Sequence, residues 1–128
     1  MSRIIEALEA SDKMRSGRPV ETSDIKAAED ALGLSFASEY REYLRAFGFA
    51  SYKNHELTGI CNSSRLNVVD VTQEARELYN VAPDMYVIED TGYEGVVVLQ
   101  NTQGTIFQVQ PQGTPVIIYK SLAEYING

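Results

Sequence analysis

The sequence predicts an α+β fold, in which N-terminal helices pack on a mostly antiparallel mixed sheet of about five to six strands and a short helix closes the chain. Apolar residues recur every three or four positions through the first half, which is the period of an amphipathic helix. In the second half, short apolar runs are separated by links rich in turn-forming residues, which is typical of strands. The 128 residues are expected to form a single domain spanning residues 1–128.

Two helices are predicted before residue 34. The first carries an apolar stripe near the N-terminus and is broken by residues 17–19, which include a glycine and a proline. The second is followed by Gly33, in the position typical of a helix C-terminal cap. Thr22 and Ser23 are both candidates for its N-cap, because either hydroxyl can accept a bond from the first turn. The apolar positions of the two helices are Ile4, Ile5, Leu8, Ile25, Ala28 and Leu32.

The third helix has the clearest helical periodicity. Its apolar residues fall at intervals of three and four, and Glu39, Glu42 and Arg45 are predicted to point mostly away from the core. Gly48 ends the helix. An aromatic stripe of this kind belongs more often to a core than to a ligand site, so we assign it to the core. The stripe consists of Phe36, Tyr40, Tyr43, Leu44 and Phe47.

The spacing of apolar residues changes in the middle of the chain. Residues 49–53 and 56–60 are each predicted to form a short strand, and residues 61–67 a polar loop. A short extended piece beginning at Val68 is expected to lead into a fourth helix. Asp70 and Thr72 are both candidates for the N-cap of that helix.

The second half is predicted to form the larger part of the sheet. Short links favour antiparallel neighbours, because a parallel crossover needs about a dozen residues or more. Residues 96–99 are apolar on both faces, which predicts a central strand that is covered on both sides. Ser121 and Glu124 form a capping box that opens a last helix. The four strand-like runs are 85–91, 95–100, 105–110 and 116–119.

Charge and composition exclude several classes of protein. Eleven Lys and Arg against eighteen Asp and Glu give a net charge of −7, which argues against binding nucleic acid or an anionic membrane. The lone Cys61 allows no internal disulfide. The N-terminus carries Glu6 and Glu9 where a signal peptide needs an apolar run, and no apolar stretch approaches the ~20 residues of a membrane span. A cytoplasmic protein is therefore expected.

Motifs for catalysis are incomplete. His55 and Glu56 begin like the zinc-protease pattern H-E-x-x-H, but Gly59 stands where the second histidine is needed. One His and one Cys are too few for a zinc site of the His/Cys type. A thiol–imidazole pair of Cys61 and His55 lacks a third group, so we favour an incidental surface histidine and a buried or half-buried cysteine. We predict no catalytic residues, no metal and no cofactor.

The acidic residues of the second half are unevenly placed. No Lys or Arg occurs between Glu77 and Tyr119, and residues 95–119 carry no charge of either sign. The simpler interpretation is solubility, and the functional one is a docking face for a basic protein. Tyr86 and Tyr93 lie within the acidic stretch, where each is a candidate interface anchor or a core residue.

The order of these elements resembles the SUKH superfamily, which includes fungal cell-wall synthesis regulators and bacterial toxin-immunity proteins. Ala37 departs from the family pattern, since it stands where a proline usually begins the third helix. The resemblance implies a single α+β domain that binds a partner without catalysis. It is carried by Ile25, Glu29, Leu32-Gly33, residues 36–44, Gly48, residues 56–60, residues 68–72 with Arg76, residues 86–99, residues 104–109, and residues 121–126.

The resemblance and the charge together lead to a functional hypothesis. We expect a bacterial immunity protein that binds and neutralises a cognate, nuclease-type toxin domain, whose phosphate-binding surface is basic. The alternative is a non-catalytic regulatory or scaffold module of the cell-wall-regulator type, and a small enzyme has no motif to support it. The residues predicted to contact the partner are Asp84, Asp90, Tyr93 and Glu94, with Glu56 bordering them.

Overall fold

The computed structural model describes residues 3–128 and confirms the α+β class, with a short helix at the C-terminus. Within this range the chain forms five helices: α1 (Arg3–Glu9), α2 (Thr22–Leu32), α3 (Ser38–Phe47), α4 (Val68–Leu78) and α5 (Leu122–Asn127). Seven strands are described: β1 (Arg15–Ser16), β2 (Ala50–Tyr52), β3 (His55–Glu56), β4 (Met85–Asp90), β5 (Val97–Asn101), β6 (Ile106–Val109) and β7 (Val116–Tyr119).

The strands are divided between two antiparallel sheets, whereas the sequence predicts one mixed sheet of five to six strands. The sheets have the orders β1-β2-β3 and β4-β5-β6-β7. β3 contains two residues, and no described ladder joins it to β4. Thr58 makes the connection instead: its N–H donates to Ile88 O at 2.8 Å and its hydroxyl to Val87 O at 2.7 Å. A parallel contact among the described residues is the isolated bridge between Gly59 and Asn67.

The core lies on both faces of the four-stranded sheet. Val98 packs in the larger cluster, with the buried faces of α1, α2, α3 and α5. Val97 and Leu99 point to the opposite face, where they form a smaller cluster with Ala75 of α4. The prediction that the 96–99 run is covered on both sides is therefore confirmed for these three residues.

The helix ends agree only partly with the sequence. Gly33 has the left-handed φ of 70° expected after α2, and Ser121 accepts a bond from Glu124 N–H at 3.1 Å. The N-cap predictions for α2 were wrong, because Thr22 and Ser23 already lie inside the helix. The α4 predictions were wrong too, since this helix begins at Val68 and Asn67 Oδ1 caps it by accepting from Val69 N–H at 3.0 Å.

The aromatic stripe of α3 belongs to the core, as predicted, although Phe47 is only partly buried. Its hydroxyls are all bonded: Tyr43 donates to Thr58 O at 2.5 Å and accepts from Ala50 N–H at 3.0 Å. The Tyr40 hydroxyl lies 2.8 Å from Thr58 Oγ1. Tyr86 is also a core residue, and its hydroxyl donates to Gln100 Oε1 at 2.8 Å. Burial raises the pKa of all three tyrosines above 10.0.

Glu29, one of the residues that carry the family resemblance, is a buried carboxylate with a structural role. Its Oε2 accepts from Phe36 N–H at 2.8 Å and from two guanidinium nitrogens of Arg41, at 3.0 and 2.8 Å. The side chain thus fixes the link between α2 and α3, because it bonds the backbone of that link and a residue of α3. Charge-assisted bonds of this kind are about twice as strong as neutral ones.

Glu39 departs from the prediction that it points away from the core. Its carboxylate accepts from the N–H groups of Leu122 and Ala123, in the first turn of α5, and from Gln100 Nε2 at 2.7 Å. It therefore supplies acceptors for backbone donors that a helix leaves unpaired at its N-terminus. Burial raises the pKa of this carboxyl, although the three donors oppose the shift.

Among residues 3–128, none of the helices combines the length and the apolar character that crossing a membrane requires.

Candidate docking surface

The turn between β4 and β5 carries three of the five residues predicted to contact a partner, Asp90, Tyr93 and Glu94. Asp90 Oδ1 accepts from Gly92 N–H at 3.0 Å, and the Thr91 hydroxyl accepts from Tyr93 N–H at 3.1 Å. These bonds order a turn in which the side chain of Tyr93 is 73% exposed. The turn is also fixed from outside, because the Tyr79 hydroxyl at the end of α4 donates to Gly95 O at 2.5 Å. The exposed ring is thus held by an ordered backbone.

The structure brings some of the predicted residues together and separates others. Asp90, Tyr93 and Glu94 are exposed on the same turn. Asp84 is exposed too, but it precedes β4, whereas Asp90 is the last residue of that strand. Six residues of extended chain span about 20 Å, so Asp84 lies at the opposite end of the sheet from the others. Asp84 is therefore not on the turn that carries Asp90, Tyr93 and Glu94, and its contact with a partner stays a prediction.

Glu56 borders this region and is paired. Its carboxylate oxygens accept from Arg65 at 2.8 and 3.3 Å, and these bonds lower the pKa of the Glu56 carboxyl. Both side chains are largely exposed. Glu56, Arg65 and Asp90 line one small cavity of about 180 Å³ next to Gly92. Glu56 therefore lies near Asp90, and its charge is compensated by Arg65.

A larger groove of about 490 Å³ runs beside this cavity, between α4, the preceding loop and the β4–β5 end of the sheet. We call it the acidic groove and define it by Asp70, Glu74 and Asp90 as its charged lining, with Arg65 at the side shared with Glu56. Within the described residues, none of the three acids forms an ion pair. The remaining lining residues are Ser64, Val71, Ala75, Leu78, Tyr79 and Val97.

Asp70 and Glu74 were missed as candidate site residues. They are four positions apart on α4, a spacing that puts both carboxylates on one face of a helix. This spacing is visible in the sequence, where Asp70 is also a plausible N-cap. Their position beside Asp90 depends on how α4 packs against β4, which the spacing alone does not reveal.

His55 belongs to a second cluster, so its interpretation as an incidental surface residue was wrong. Its Nδ1 lies 3.0 Å from Oε2 of the buried Glu89, and its ring stacks on Tyr52 with centroids 4.9 Å apart. The Tyr125 hydroxyl donates to Glu89 Oε1 at 2.5 Å. Burial raises the pKa of Tyr125 and of Tyr52, and the Glu89 carboxylate adds to both shifts. The cluster ties β3, β4 and α5 together around one carboxylate.

Within residues 3–128, neither His55 nor Cys61 has the partners of a nucleophile–base pair or of a metal site. Cys61 is half-buried, as predicted, and its thiol contacts Ser63 O at 3.7 Å. Within residues 3–128, no Ser, Thr or Cys hydrogen bonds to His55, which a nucleophile activated by it requires. The same residues contain no cluster of three or more His, Cys, Asp or Glu able to hold a metal ion.

A family model described as SMI1-KNR4 cell-wall, SUKH_5, matches residues 1–128. No curated protein matches the chain.

Proposed function

We propose, from the premise that the chain belongs to the SMI1-KNR4 family of the SUKH superfamily, that it is a bacterial immunity protein that neutralises a nuclease-type toxin domain. The superfamily comprises immunity proteins and SMI1/KNR4-type regulators, which are generally non-catalytic and act through protein–protein interaction. This family membership agrees with the resemblance that the order of the sequence elements indicates.

The acidic groove carries this proposal. Asp70, Glu74 and Asp90 line one cavity, and Arg65, the cation that also lines it, is paired with Glu56 rather than with these three acids. A nuclease holds phosphates with Lys and Arg, so its active-site surface is basic. Carboxylates arranged in a groove complement such a surface, speed the encounter and select against acidic partners. Occupying the phosphate-binding surface excludes the nucleic acid and so blocks the toxin.

Two exposed apolar side chains flank the charges and supply candidate anchors. Tyr93 is 73% exposed on the ordered turn, and Leu78 is 61% exposed at the end of α4. Interfaces concentrate their binding energy in a few buried side chains, among which tyrosine is enriched, and surrounding charges govern the rate of encounter. In this proposal Tyr93 is an anchor and the acids of the groove steer association.

The test needs a toxin domain as its probe, and we expect one at the C-terminus of a secretion-linked protein encoded beside this chain. Asp70→Asn, Glu74→Gln and Asp90→Asn, combined in one variant, are expected to slow association with this domain by about 10-fold or more at low salt. The salt dependence of the association rate should fall as well, because screening acts on the charges that were removed. Tyr93→Ala, measured in the same stopped-flow series, should act mainly on dissociation and cost more than about 2 kcal/mol.

The matched control removes three exposed carboxylates elsewhere. Glu6→Gln, Glu9→Gln and Glu42→Gln change the net charge equally but lie on α1 and α3. They should alter the association rate far less, as should Asp84→Asn. If both triple variants slow association equally, the acids of the groove act only through the net charge of the protein and not through their position. If the probe domain does not bind the wild-type protein at all, the regulatory or scaffold function becomes the better interpretation.

A further inference from the structure

The acidic groove is lined by apolar side chains below its acids. Val71 and Ala75 are four positions apart on α4, so both lie on the side of the helix that faces the groove. Val97, at the start of β5, lines the groove from the sheet. Ala75 and Val97 belong to the smaller core cluster, and Val71 packs against it. The groove therefore has an apolar floor that is continuous with the core.

The α4 rim of the groove repeats with the period of the helix. Asp70, Glu74 and Leu78 are spaced four residues apart, and all three are exposed. Successive members of this row are one helical turn, or about 6 Å, apart, and the whole row is about 12 Å long. Two carboxylates and an exposed leucine thus follow one another along the groove for about two helical turns.

This lining determines which side chains fit the groove. The acids of the rim and Asp90 across from them form no ion pair within the described residues, because Arg65 is bonded by Glu56. Carboxylates in such a position are complementary to Lys and Arg of a partner. The floor and Leu78 are complementary to apolar side chains, which gain free energy when they leave water. A fitting partner therefore carries cations and apolar side chains on one face.

The backbone around the groove determines which element fits. Asp90 is paired with Val97, and residues paired in this way share a face of the sheet, so the groove lies on the α4 face and not at a strand edge. The backbone groups of α4 bond within the helix. An extended segment in the groove would therefore bury peptide groups without partners, whereas a helix satisfies its backbone bonds internally.

We infer that the acidic groove holds an amphipathic, basic helix of the partner. The apolar face of that helix lies over Val71 and Leu78, and two of its Lys or Arg side chains, one turn apart, pair with the acids of the α4 rim. A third cation meets Asp90 across the groove. The inference rests on the proposed function, because it names the element of the toxin domain that enters the groove.

A synthetic peptide of about 18 residues tests the inference, because helices of this length begin to form in water. It consists of Leu, Ala and Lys, with Leu at positions i, i+3, i+4 and i+7 and Lys beside them. The anisotropy of the labelled peptide at about 50 mM salt should show saturable binding to the wild-type chain. A peptide of the same composition in scrambled order keeps the charge but loses the apolar face, so it should bind at least about 10-fold more weakly.

A charge placed on the rim locates the binding. Leu78→Lys should weaken binding of the ordered peptide by at least about 10-fold, because it replaces an apolar contact with a charge of the same sign as the peptide. Gln73→Lys is the matched control, since it adds the same charge at an exposed position of α4 that does not line the groove. It should weaken binding by less than about 3-fold. Both positions are exposed, so both variants are expected to fold, and circular dichroism checks this.

Equal binding of the two peptides, or equal effects of the two variants, overturns the inference, since charge alone would then explain the binding. Titration with the toxin domain separates this failure from a failure of the proposed function. If the groove variant slows the toxin domain but the ordered peptide binds no better than the scrambled one, the inference fails and the proposed function stands. If the ordered peptide binds at the groove but the toxin domain does not bind the chain, the proposed function fails and the groove remains a site for a basic helix.

Discussion

Raising the pH above about 10 is expected to destabilise the protein progressively, and to unfold it in one cooperative step at the pH where this loss exceeds its free energy of unfolding. Burial raises the pKa of Tyr40, Tyr43 and Tyr86 above 10.0, so these hydroxyls stay protonated in the folded chain while they ionise in the unfolded chain. The stability that they contribute is therefore complete below about pH 10 and is lost as the pH rises further. Above pH 10, the contribution of each tyrosine to the free energy of unfolding falls by about 1.4 kcal/mol per pH unit. The three together lose about 4 kcal/mol at pH 11, whereas the free energy of unfolding of a typical domain is about 5–15 kcal/mol.

Tyrosinate absorbance and far-ultraviolet circular dichroism, followed together against pH, check this prediction. The two signals should change at the same pH, because ionisation and unfolding are one event. Tyr93→Phe is the control, since its ring is exposed and its removal should not move the unfolding midpoint. Tyrosinate that appears for all eight tyrosines near pH 10 with an unchanged dichroism spectrum contradicts the prediction.

Glu39→Ala is expected to lower the free energy of unfolding by about 3 kcal/mol. The change removes the acceptor for Leu122 N–H, Ala123 N–H and the Gln100 amide, and α5 loses the carboxylate that holds its first turn against α3. Bonds to a charged group contribute about 1.5–3 kcal/mol each, and donors left without an acceptor in a half-buried site add a desolvation cost.

Urea unfolding measures the effect, with Glu42→Ala as the matched control. Glu42 lies on the same helix but is exposed, so its replacement should change the free energy of unfolding by less than about 0.5 kcal/mol. Glu39→Gln should lower the free energy of unfolding by an intermediate amount, less than Glu39→Ala and more than Glu42→Ala. The reason is that the amide is similar in size to the carboxylate and keeps one acceptor oxygen. Equal effects of Glu39→Ala and Glu42→Ala would mean that solvent replaces the carboxylate at the start of α5.

The parts of the fold that are coded locally could be predicted from the sequence. The aromatic stripe of α3, the doubly covered β5 and the cap at Ser121 each follow from the spacing of a few neighbouring residues. The start of α4 could not, because its Val-rich first turn has the composition of a strand, and packing overrides that preference. Asn67 also bonds Cys61 O at 3.0 Å, a contact that depends on the folded loop.

The division into two sheets and the shape of the docking surface depend on contacts between distant residues. Thr58 joins β4 across 29 positions of sequence, and no local pattern marks it. Tyr86 and Tyr93 both lie in the acidic stretch of the sequence, yet Tyr86 is buried and Tyr93 is exposed. By contrast, the separation of Asp84 from Asp90 could have been deduced, because a six-residue strand puts its two ends far apart.

The short strands of the three-stranded sheet have a consequence for how the protein opens. Ala50, Tyr52 and Leu57 are buried in the core and His55 bonds Glu89 of β4, so local opening should be confined to the exposed β1 while the rest of the fold stays intact. The amide of Gly17, which follows β1 and donates to Phe49 O, should therefore exchange with solvent deuterons much faster than the amide of Leu99 in central β5.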